Sequence, residues 1–285
     1  MTLNVKPGFL WNETVWNPSM ISTALWLDAA DGATITASSG AVSQWNDKSG
    51  GATNFTQGTA GARPATGSAT LNGRNVLTFD GGDTLLAGDA LDNVWTGAAF
   101  HLFCVAKNDN VTSSNGAILT KTAGGTDNQR AFAYYIRTSK LQLVAHYDLA
   151  GDNFSIVNGS TSISNSAWTI GTAAYTSTGT GTANTTSRVQ MTVDGADQTE
   201  VVNSFAGNLG TIQNGTAQLA VGSLAGTSGT TNGAPLTGAI GEIIVTASVL
   251  STLNRQKTEG YLAHKLGLEA NLPNDHPYKT TGPTP

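Results

Sequence analysis

The sequence predicts an all-β protein, a sandwich of two antiparallel sheets, and two observations carry this prediction. Between about residues 24 and 248, short runs rich in β-branched and aromatic residues alternate with groups of Gly, Asn, Asp and Ser. Such spacing is typical of sandwiches and barrels. Charged residues make up 12% of the 285 residues, hydrophobic types 39%, and there are 34 glycines, a composition that supplies enough apolar material for a core.

The predicted strands follow one another along this whole region. They are "ALWLDA", "ITASSGAVSQWND", "NVLTFDG", "HLFCVAK", "AFAYYIRT", "LQLVAHYD", "SIVNGS", "WTIGTAAYTS", "RVQMTVDG", "QTEVVNSF", "AQLAVGS" and "IGEIIVTA". In "MTVDGADQTEV", Asp194 and Gly195 predict a tight hairpin turn with positive φ values. The Gly-rich polar segments "TSTGTGTANTTS" and "AGTSGTTNGAP" are predicted to be exposed loops, since they offer nothing to a core.

One convincing helix follows the last predicted strand, in "ASVLSTLNRQKTEGYLAHKLGL". Ser251 is a suitable N-cap, Gly267 is placed to end the helix, and Gly260 weakens it. The apolar residues of this stretch are Leu253, Tyr261, Leu262 and Leu266. We expect the helix to cover one open edge or end of the sandwich.

Composition also argues against several classes of protein. A net charge of -5 gives no basic surface for nucleic acid phosphates. Cys104 is the only cysteine and is predicted to be a buried strand thiol, so the chain can form no internal disulfide. The sequence has no stretch of 18 apolar residues and no signal peptide, and we expect a protein that neither enters a membrane nor is exported by the usual route.

Four motifs, in this order, give the chain a likeness to a known family. They are "ALWLDAADGATIT", "VSQWNDKSG", "RPATGSATLNGRNVLTFDGGDTL" and "GEIIVTASVLSTLNRQKTEGYLAHKLGL". Over roughly residues 22 to 279 it resembles the laminin-G-like jelly-roll domains of the concanavalin A-like lectin and glucanase superfamily. The version it resembles most is found in bacteriophage structural proteins and large bacterial surface proteins.

The resemblance implies one jelly roll in which the first and last strands meet, followed by the C-terminal helix. It divides the chain into an N-terminal arm (1–21), a jelly-roll domain (22–270) and a C-terminal tail (271–285). Calcium is also implied, because laminin-G-like domains sometimes hold this ion with aspartates and loop carbonyls.

Catalytic members of the superfamily hydrolyse glycosidic bonds with two carboxylates about 5 Å apart in retaining enzymes. On one strand such a pair needs alternate positions, and no glutamate here has an acidic residue two positions away. The glutamates are Glu13, Glu200, Glu242, Glu259 and Glu269. We therefore predict that the chain is not an enzyme, unless carboxylates distant in sequence converge in a cleft. The four histidines are scattered, and His101 and His146 are interpreted as ordinary strand residues.

Aspartates beside glycine are the candidates for calcium, which favours clustered oxygen ligands. They are Asp28 and Asp31 in "LDAADG", Asp47 in "WNDKSG", and Asp80 and Asp83 in "FDGGD". The alternative, which we favour, is that these residues form turns.

Glycan binding would require exposed aromatic platforms on loops at one end of the sandwich. Tyr147, Trp95 and Trp168 are the candidates, against the alternative that aromatic residues of β proteins lie in the core.

The arm contains "PGFLWNETVWNP", in which Phe9, Leu10, Trp11 and Trp16 follow neither a helical nor a strand period. Exposed aromatics of this kind need a surface to dock on. They pack either on their own sandwich or in a neighbouring subunit.

These observations lead to two functional hypotheses. The first is a non-enzymatic bacteriophage virion protein on the particle surface, made in the host cytoplasm. It would act as capsid decoration or in the tail, anchored to other virion proteins by its aromatic arm, and we expect a homo-oligomer. The alternative is a lectin-like adhesion module that binds a glycan, with calcium as an optional cofactor.

Overall fold

The computed structural model describes residues 15–112, 115–123, 129–147, 153–177, 188–206, 210–225 and 233–285. In this part of the chain, nineteen strands form two large antiparallel sheets and one small hairpin. The predicted all-β sandwich of jelly-roll type, with one long C-terminal helix, is confirmed. No α-helix among the described residues is long and apolar enough to span a bilayer.

The first large sheet has seven strands and contains both the first and the last strand of the chain. Its spatial order is β16 (Ala196–Asp197), β15 (Val189–Val193), β14 (Thr169–Thr176), β9 (Ala99–Asn108), β19 (Thr237–Thr246) and β1 (Thr23–Asp28), with β7 (Leu77–Asp80) also paired to β19. The first strand therefore pairs with the last, as the sequence motifs imply, and Asp28 lies opposite Glu242.

The second large sheet has ten strands and forms the opposite layer. Its spatial order is β17 (Val201–Ala206), β13 (Phe154–Asn158), β12 (Lys140–His146), β11 (Arg130–Arg137), β10 (Ala117–Thr122), β18 (Ala220–Val221), β8 (Leu85–Leu86), β4 (Phe55–Thr56), β3 (Ala41–Trp45) and β2 (Ile35–Ser38). The separate hairpin consists of β5 (Thr70–Leu71) and β6 (Arg74–Asn75).

Alternation along β9 separates two hydrophobic layers. Phe100, Leu102 and Cys104 belong to the main core between the sheets, and the thiol is buried as predicted. Phe103 and Val105 point to the opposite face and belong to a second core. Because successive side chains of a strand face opposite sides, one strand serves both layers.

The second core lies beneath the long helix. A short helix, α1 (Asp92–Trp95), precedes β9, and the long helix, α2 (Thr252–Leu266), follows β19. Tyr261, Leu262 and Leu266 of α2 pack on the outer face of the seven-stranded sheet. Leu253 differs from the prediction, since it is 56% exposed and faces away from this core.

The predicted ends of α2 are confirmed. The side chain of Ser251 accepts a hydrogen bond from the backbone N–H of Asn254 (3.3 Å), which satisfies one of the free donors of the first turn. Gly267 ends the helix in the left-handed region, with φ 71°. This conformation is cheap for glycine, which has no Cβ.

The C-terminal tail crosses α2 at Gly260. A Cβ built on Gly260 would lie 2.5 Å from Cβ of Tyr278, so the tail can pass only where the helix has no side chain. The backbone N–H of Trp16 donates to the carbonyl of Pro283 (3.3 Å). The described end of the arm and the tail therefore pack together on the jelly-roll domain.

The predicted hairpin turn between β15 and β16 is also confirmed. Asp194 and Gly195 both have positive φ, 53° and 78°. Oδ1 of Asp194 accepts a hydrogen bond from the backbone N–H of Ile170 (2.8 Å). Burial raises the pKa of Asp194 to about 6, because the ionised carboxylate is partly removed from water.

We predict that Asp194→Asn stabilises the protein at neutral pH. An amide keeps the acceptor for Ile170 and suits the turn, yet it carries no charge to bury. The folded-state pKa of Asp194 is raised, so the cost of its charge is absent below about pH 4 and complete above about pH 6. We expect a gain in unfolding free energy of about 1 to 2 kcal/mol at pH 7 and almost none at about pH 3.5, measured by urea denaturation. An equal gain at both pH values would mean that turn propensity, not charge, is responsible.

Candidate functional site

Three distant parts of the chain meet in a buried ion cluster beneath α2. Nζ of Lys265, on α2, donates to Oδ1 of Asp28 on β1 and to Oε2 of Glu242 on β19, both at 2.6 Å. Asp28 and Glu242 are neighbours across the β1–β19 ladder and face the helix. The register of the first and last strands thus creates a double carboxylate site for one lysine.

The other carboxylate oxygens of the cluster are also bonded. Oε1 of Glu242 accepts from the indole N–H of Trp26 (2.7 Å) and the hydroxyl of Tyr261 (3.0 Å). Oδ2 of Asp28 accepts from Nζ of Lys48 (2.9 Å). Each of the four oxygens therefore has a donor, which is the condition under which buried charges are tolerated.

The two carboxylates have pKa values that are shifted in opposite directions. Burial would raise the pKa of Asp28, but Lys265 and Lys48 outweigh it and hold this pKa below its ordinary value. Burial also raises the pKa of Glu242, and there the attraction of Lys265 only partly compensates. Asp28 has two cationic partners and Glu242 shares one, which accounts for the difference.

Asp28 and Glu242 are two carboxylates distant in sequence that converge in space, as a hydrolase would require. Their oxygens, each 2.6 Å from the same Nζ, are at most about twice that distance apart, an upper limit that includes the ~5 Å of retaining glycosidases. Glu242 is nevertheless 0% exposed, and its oxygens are held by Trp26, Tyr261 and Lys265. A substrate has no route to this carboxylate, so the cluster acts as a brace between helix and sheet.

A pocket of about 430 Å³ opens beside the cluster. Its buried side includes Asp28, Lys265 and the rings of Trp26 and Tyr261, and its partly exposed side includes Asn17, Asp31, Lys48 and Arg74. The pocket joins an aromatic wall to donors and acceptors of both charges. Such a lining suits a polar organic ligand.

Lys48 is held in place at the mouth of this pocket by an aspartate and an aromatic ring. Its Nζ lies 2.8 Å from Oδ2 of Asp31 and 4.3 Å from the ring centroid of Trp26. Burial opposes the ammonium, yet Asp28 and Asp31 outweigh it and raise the pKa of Lys48. The ammonium is therefore charged and fixed in position at neutral pH.

The structure does not assemble the predicted calcium ligands into one site. Both oxygens of Asp28 bond to lysine ammonium groups, which rules it out as a ligand, and Asp31 pairs with Lys48. The carboxylate of Asp47 accepts from the backbone N–H groups of Trp26 (3.0 Å) and Thr53 (3.2 Å), so it organises a turn.

Asp80 and Asp83 lie together in a different turn, after β7. Asp83 accepts from the backbone N–H of Asp80 (2.9 Å), and burial, followed by the nearby carboxylate of Asp80, raises the pKa of Asp83 to about 6. Within the described ranges, no group of three His, Cys, Asp or Glu residues could hold a metal ion. Hydrogen bonds to lysines and to backbone amides commit Asp28, Asp31 and Asp47 to the turn alternative, whereas calcium binding by Asp80 and Asp83 stays a prediction.

Two of the three predicted glycan platforms are buried. Trp95 is 0% exposed and packs on Phe132, with ring centroids 4.2 Å apart. Tyr147 is 9% exposed, and its hydroxyl bonds to Ser155. These two predictions are corrected, because a covered ring presents no face to a sugar. Trp168 is half-buried at the surface, with Nζ of Lys107 at 6.0 Å from its ring, and stays a prediction.

The described residues include only one end of the aromatic arm. Phe9, Leu10 and Trp11 lie outside the described residues, so their predicted role as partner anchors stays a prediction. Trp16 is 2% exposed and packs edge-on against Tyr261 of α2, with centroids 6.0 Å apart. Of the two alternatives for the arm, packing on its own sandwich or in a neighbouring subunit, Trp16 follows the first, because its ring is buried against its own chain.

Sequence reasoning missed the ion cluster and the pocket beside it. The sequence offers Asp28 as a calcium candidate and no motif that selects Lys265. Lys265 and Asp28 are 237 positions apart, so no local spacing joins them. The signal in the sequence that could indicate the cluster is Lys265 itself, because it directly precedes Leu266, an apolar residue of a helix that is expected to pack on the sandwich.

We predict that Lys265→Met lowers the free energy of unfolding by about 3 to 5 kcal/mol, because Glu242 is left buried without a cation. Adding Glu242→Gln should restore part of the loss, since an amide can still accept from Trp26 and Tyr261. Guanidinium denaturation checks both variants.

The matched control is Lys107→Met, which removes a lysine from the partly exposed pair with Asp109 (2.8 Å). Its expected cost is below about 1 kcal/mol. If Lys265→Met costs no more than this control, the buried cluster is not what holds the helix on the sheet.

Comparison with known proteins establishes the fold. The sequence matches no family model and no curated protein. In structure, the binding domain of botulinum neurotoxin serotype G matches 81% of this chain and 49% of its own, with a TM-score of 0.51 and 10% identity. The binding domain of Paraclostridial mosquitocidal protein 1 matches 82% and 50%, with a TM-score of 0.51 and 8% identity. The chain thus spans about half the length of these two structures and shares their β-sandwich fold.

Proposed function

We propose that this chain is a non-catalytic, lectin-like module that binds a glycan in the pocket lined by Trp26, Asp31, Lys48 and Arg74. The observation that carries the proposal is this pocket, an open cavity of about 430 Å³ whose polar groups are fixed by the buried cluster behind it. Fixed donors and acceptors lower the entropic cost of binding a flexible, hydroxyl-rich ligand.

The chemistry of the lining favours an uncharged glycan. Asp31 and Lys48 form an ion pair at the mouth (2.8 Å), so neither presents an uncompensated charge to a ligand. Carboxylate oxygens accept from hydroxyl groups and ammonium hydrogens donate to them, which together match the donor and acceptor character of a sugar. The rings of Trp26 and Tyr261 add apolar surface for the C–H face of the sugar.

The state of the acidic groups favours binding without hydrolysis. The pKa of Asp28 is held low by Lys265 and Lys48, so this residue has no proton to donate at neutral pH. Glu242, whose pKa is raised, is sealed behind Trp26 and Tyr261. Neither carboxylate of the pair at the base of the pocket can therefore act as a general acid on a bound ligand.

The shared fold is a second line of support. The binding domains of botulinum neurotoxin serotype G and of Paraclostridial mosquitocidal protein 1, each with a TM-score of 0.51, support a binding role for a sandwich of this kind. A bacteriophage virion role, a homo-oligomer and a place on a particle surface stay predictions, to be tested by counting copies of the chain in purified particles with mass spectrometry.

A glycan array of neutral and acidic oligosaccharides, followed by calorimetry on the best ligand, tests the proposal. We expect saturable binding to a neutral glycan. Lys48→Met should weaken this binding by about tenfold or more, since it removes a charged donor but keeps the aliphatic stem over Trp26. Binding should be unchanged by a calcium chelator, because the aspartates at this site bond to lysines and backbone amides.

Lys107→Met is the matched variant here as well. Lys107 and Lys48 are both 23% exposed, each pairs with an aspartate, and each lies near a tryptophan ring. Lys107→Met should leave the affinity unchanged. Loss of binding in Lys107→Met but not in Lys48→Met would move the site to Trp168, and a flat array would overturn the proposed function.

A further inference from the structure

A second pocket lies at the opposite end of α2, where the helix begins. It has a volume of about 240 Å³ and is formed between the first turn of the helix and the outer face of the seven-stranded sheet. Its lining includes His101, Thr172, Gln190, Glu200, Leu250 and Arg255. Thr252 and Arg255 of α2 border this pocket, whereas Tyr261 and Lys265 border the pocket described above.

His101 is the unusual residue of this pocket. It lies on the same face of β9 as Phe103 and Val105, which α2 covers. Its ring stacks on Phe103 with centroids 4.3 Å apart and is 2% exposed. Its Nε2 has no hydrogen-bond partner among the residues that the structure describes. A polar atom this deeply buried is unfavourable without a partner.

The protonation state of His101 follows from its surroundings. Burial, assisted by the positive charge of Arg255, lowers the pKa of His101 to about 3, so the ring is neutral at physiological pH. Nδ1 accepts from the backbone N–H of Leu250 (3.4 Å). A neutral ring that accepts at Nδ1 carries its proton on Nε2. The unsatisfied atom is therefore an N–H donor.

The groups around His101 decide what kind of acceptor can reach it. The charge of Arg255 is already compensated, since its guanidinium pairs with Glu259 (2.9 Å) and Asp197 (3.2 Å). Glu200 adds a further carboxylate, fixed in the wall by the backbone N–H of Met191 (2.7 Å). An anion would meet the two carboxylates that line the pocket, those of Asp197 and Glu200, and no free cation among these groups. A hydroxyl group, in contrast, could accept from His101 and donate to Glu200.

We propose that this second pocket binds a small uncharged molecule with several hydroxyl groups, a polyol or a single sugar ring, and that His101 Nε2–H donates to one of its oxygens. The pocket is smaller than the ~300 Å³ at which sites for drug-sized ligands begin, which limits the ligand to about one ring. This proposal does not depend on glycan binding at the Trp26 pocket, because the two pockets share none of their lining residues.

NMR of the intact protein labelled with ¹⁵N-histidine tests the proposal directly. The probes are glycerol, myo-inositol and methyl α-D-glucopyranoside, with sodium acetate as the anionic comparison. We expect the His101 Nε2–H resonance, assigned by its loss in His101→Phe, to shift saturably with at least one hydroxylated probe and not with acetate. The affinity should be constant between about pH 5 and pH 8, since a ring with a pKa of about 3 does not titrate there.

Two variants separate a ligand contact from a structural role. His101→Phe keeps the ring stack on Phe103 but removes the donor, and it should weaken probe binding by about tenfold. Glu200→Gln keeps the acceptor for Met191 and removes the charge, and it should weaken binding severalfold if the first variant does not fold. Lys48→Met, at the other pocket, should leave the His101 titration unchanged.

The contrary results are equally definite. If no hydroxylated probe shifts the His101 resonance, the pocket holds only water and the proposal is wrong. A saturable shift with acetate alone would contradict the ligand class. If Lys48→Met abolishes the His101 response, the probe binds at the other pocket, and the second site does not exist.

Discussion

The rest of the structure depends on the buried ammonium group of Lys265. Lys265 is the point at which the first strand, the last strand and the long helix are joined, through Asp28 and Glu242. Three charges in a low-dielectric interior are costly unless each is paired and hydrogen-bonded. Because the cluster meets that condition only when β1, β19 and α2 are all in place, it ties the closure of the sandwich to the docking of the helix.

Docking of the helix in turn creates both pockets. The middle of α2 buries Phe103, Val105 and Ile244 of the sheet, but its two ends leave gaps against the same face. At the C-terminal end the gap is lined by the charged cluster, and at the N-terminal end it is lined by His101. The element that completes the core is therefore also the element that shapes the candidate binding sites.

Much of the fold could be predicted from the sequence because its signals are local. The Asp194–Gly195 turn, the Ser251 cap and the end at Gly267 each depend on residues within a few positions of one another. The long-range contacts of Asp28 and Trp95 cannot be predicted from the sequence, for the opposite reason. The local sequence around an Asp beside a turn or a Trp beside a loop is the same whether the side chain faces solvent or the core. Only contacts with distant parts of the sandwich determine which of these two positions it takes. The pocket beside Trp26 draws on residues 15 to 265 and has no signature along the chain.

The position of the helix at the end of the chain has a physical explanation. On β1, Leu25 and Leu27 face the main core, while Trp26 belongs to the layer under the helix. A slip of one residue between β1 and β19 would exchange these faces and bring Asp28 into the apolar interior. The carboxylates of Asp28 and Glu242 both face the helix in only one register of β1 and β19. A lysine can pair with both of them only after both strands have been synthesised and paired. A helix that follows the last strand is the first segment of the chain that can supply this lysine. Its buried ammonium group stabilises the register in which both carboxylates face the helix.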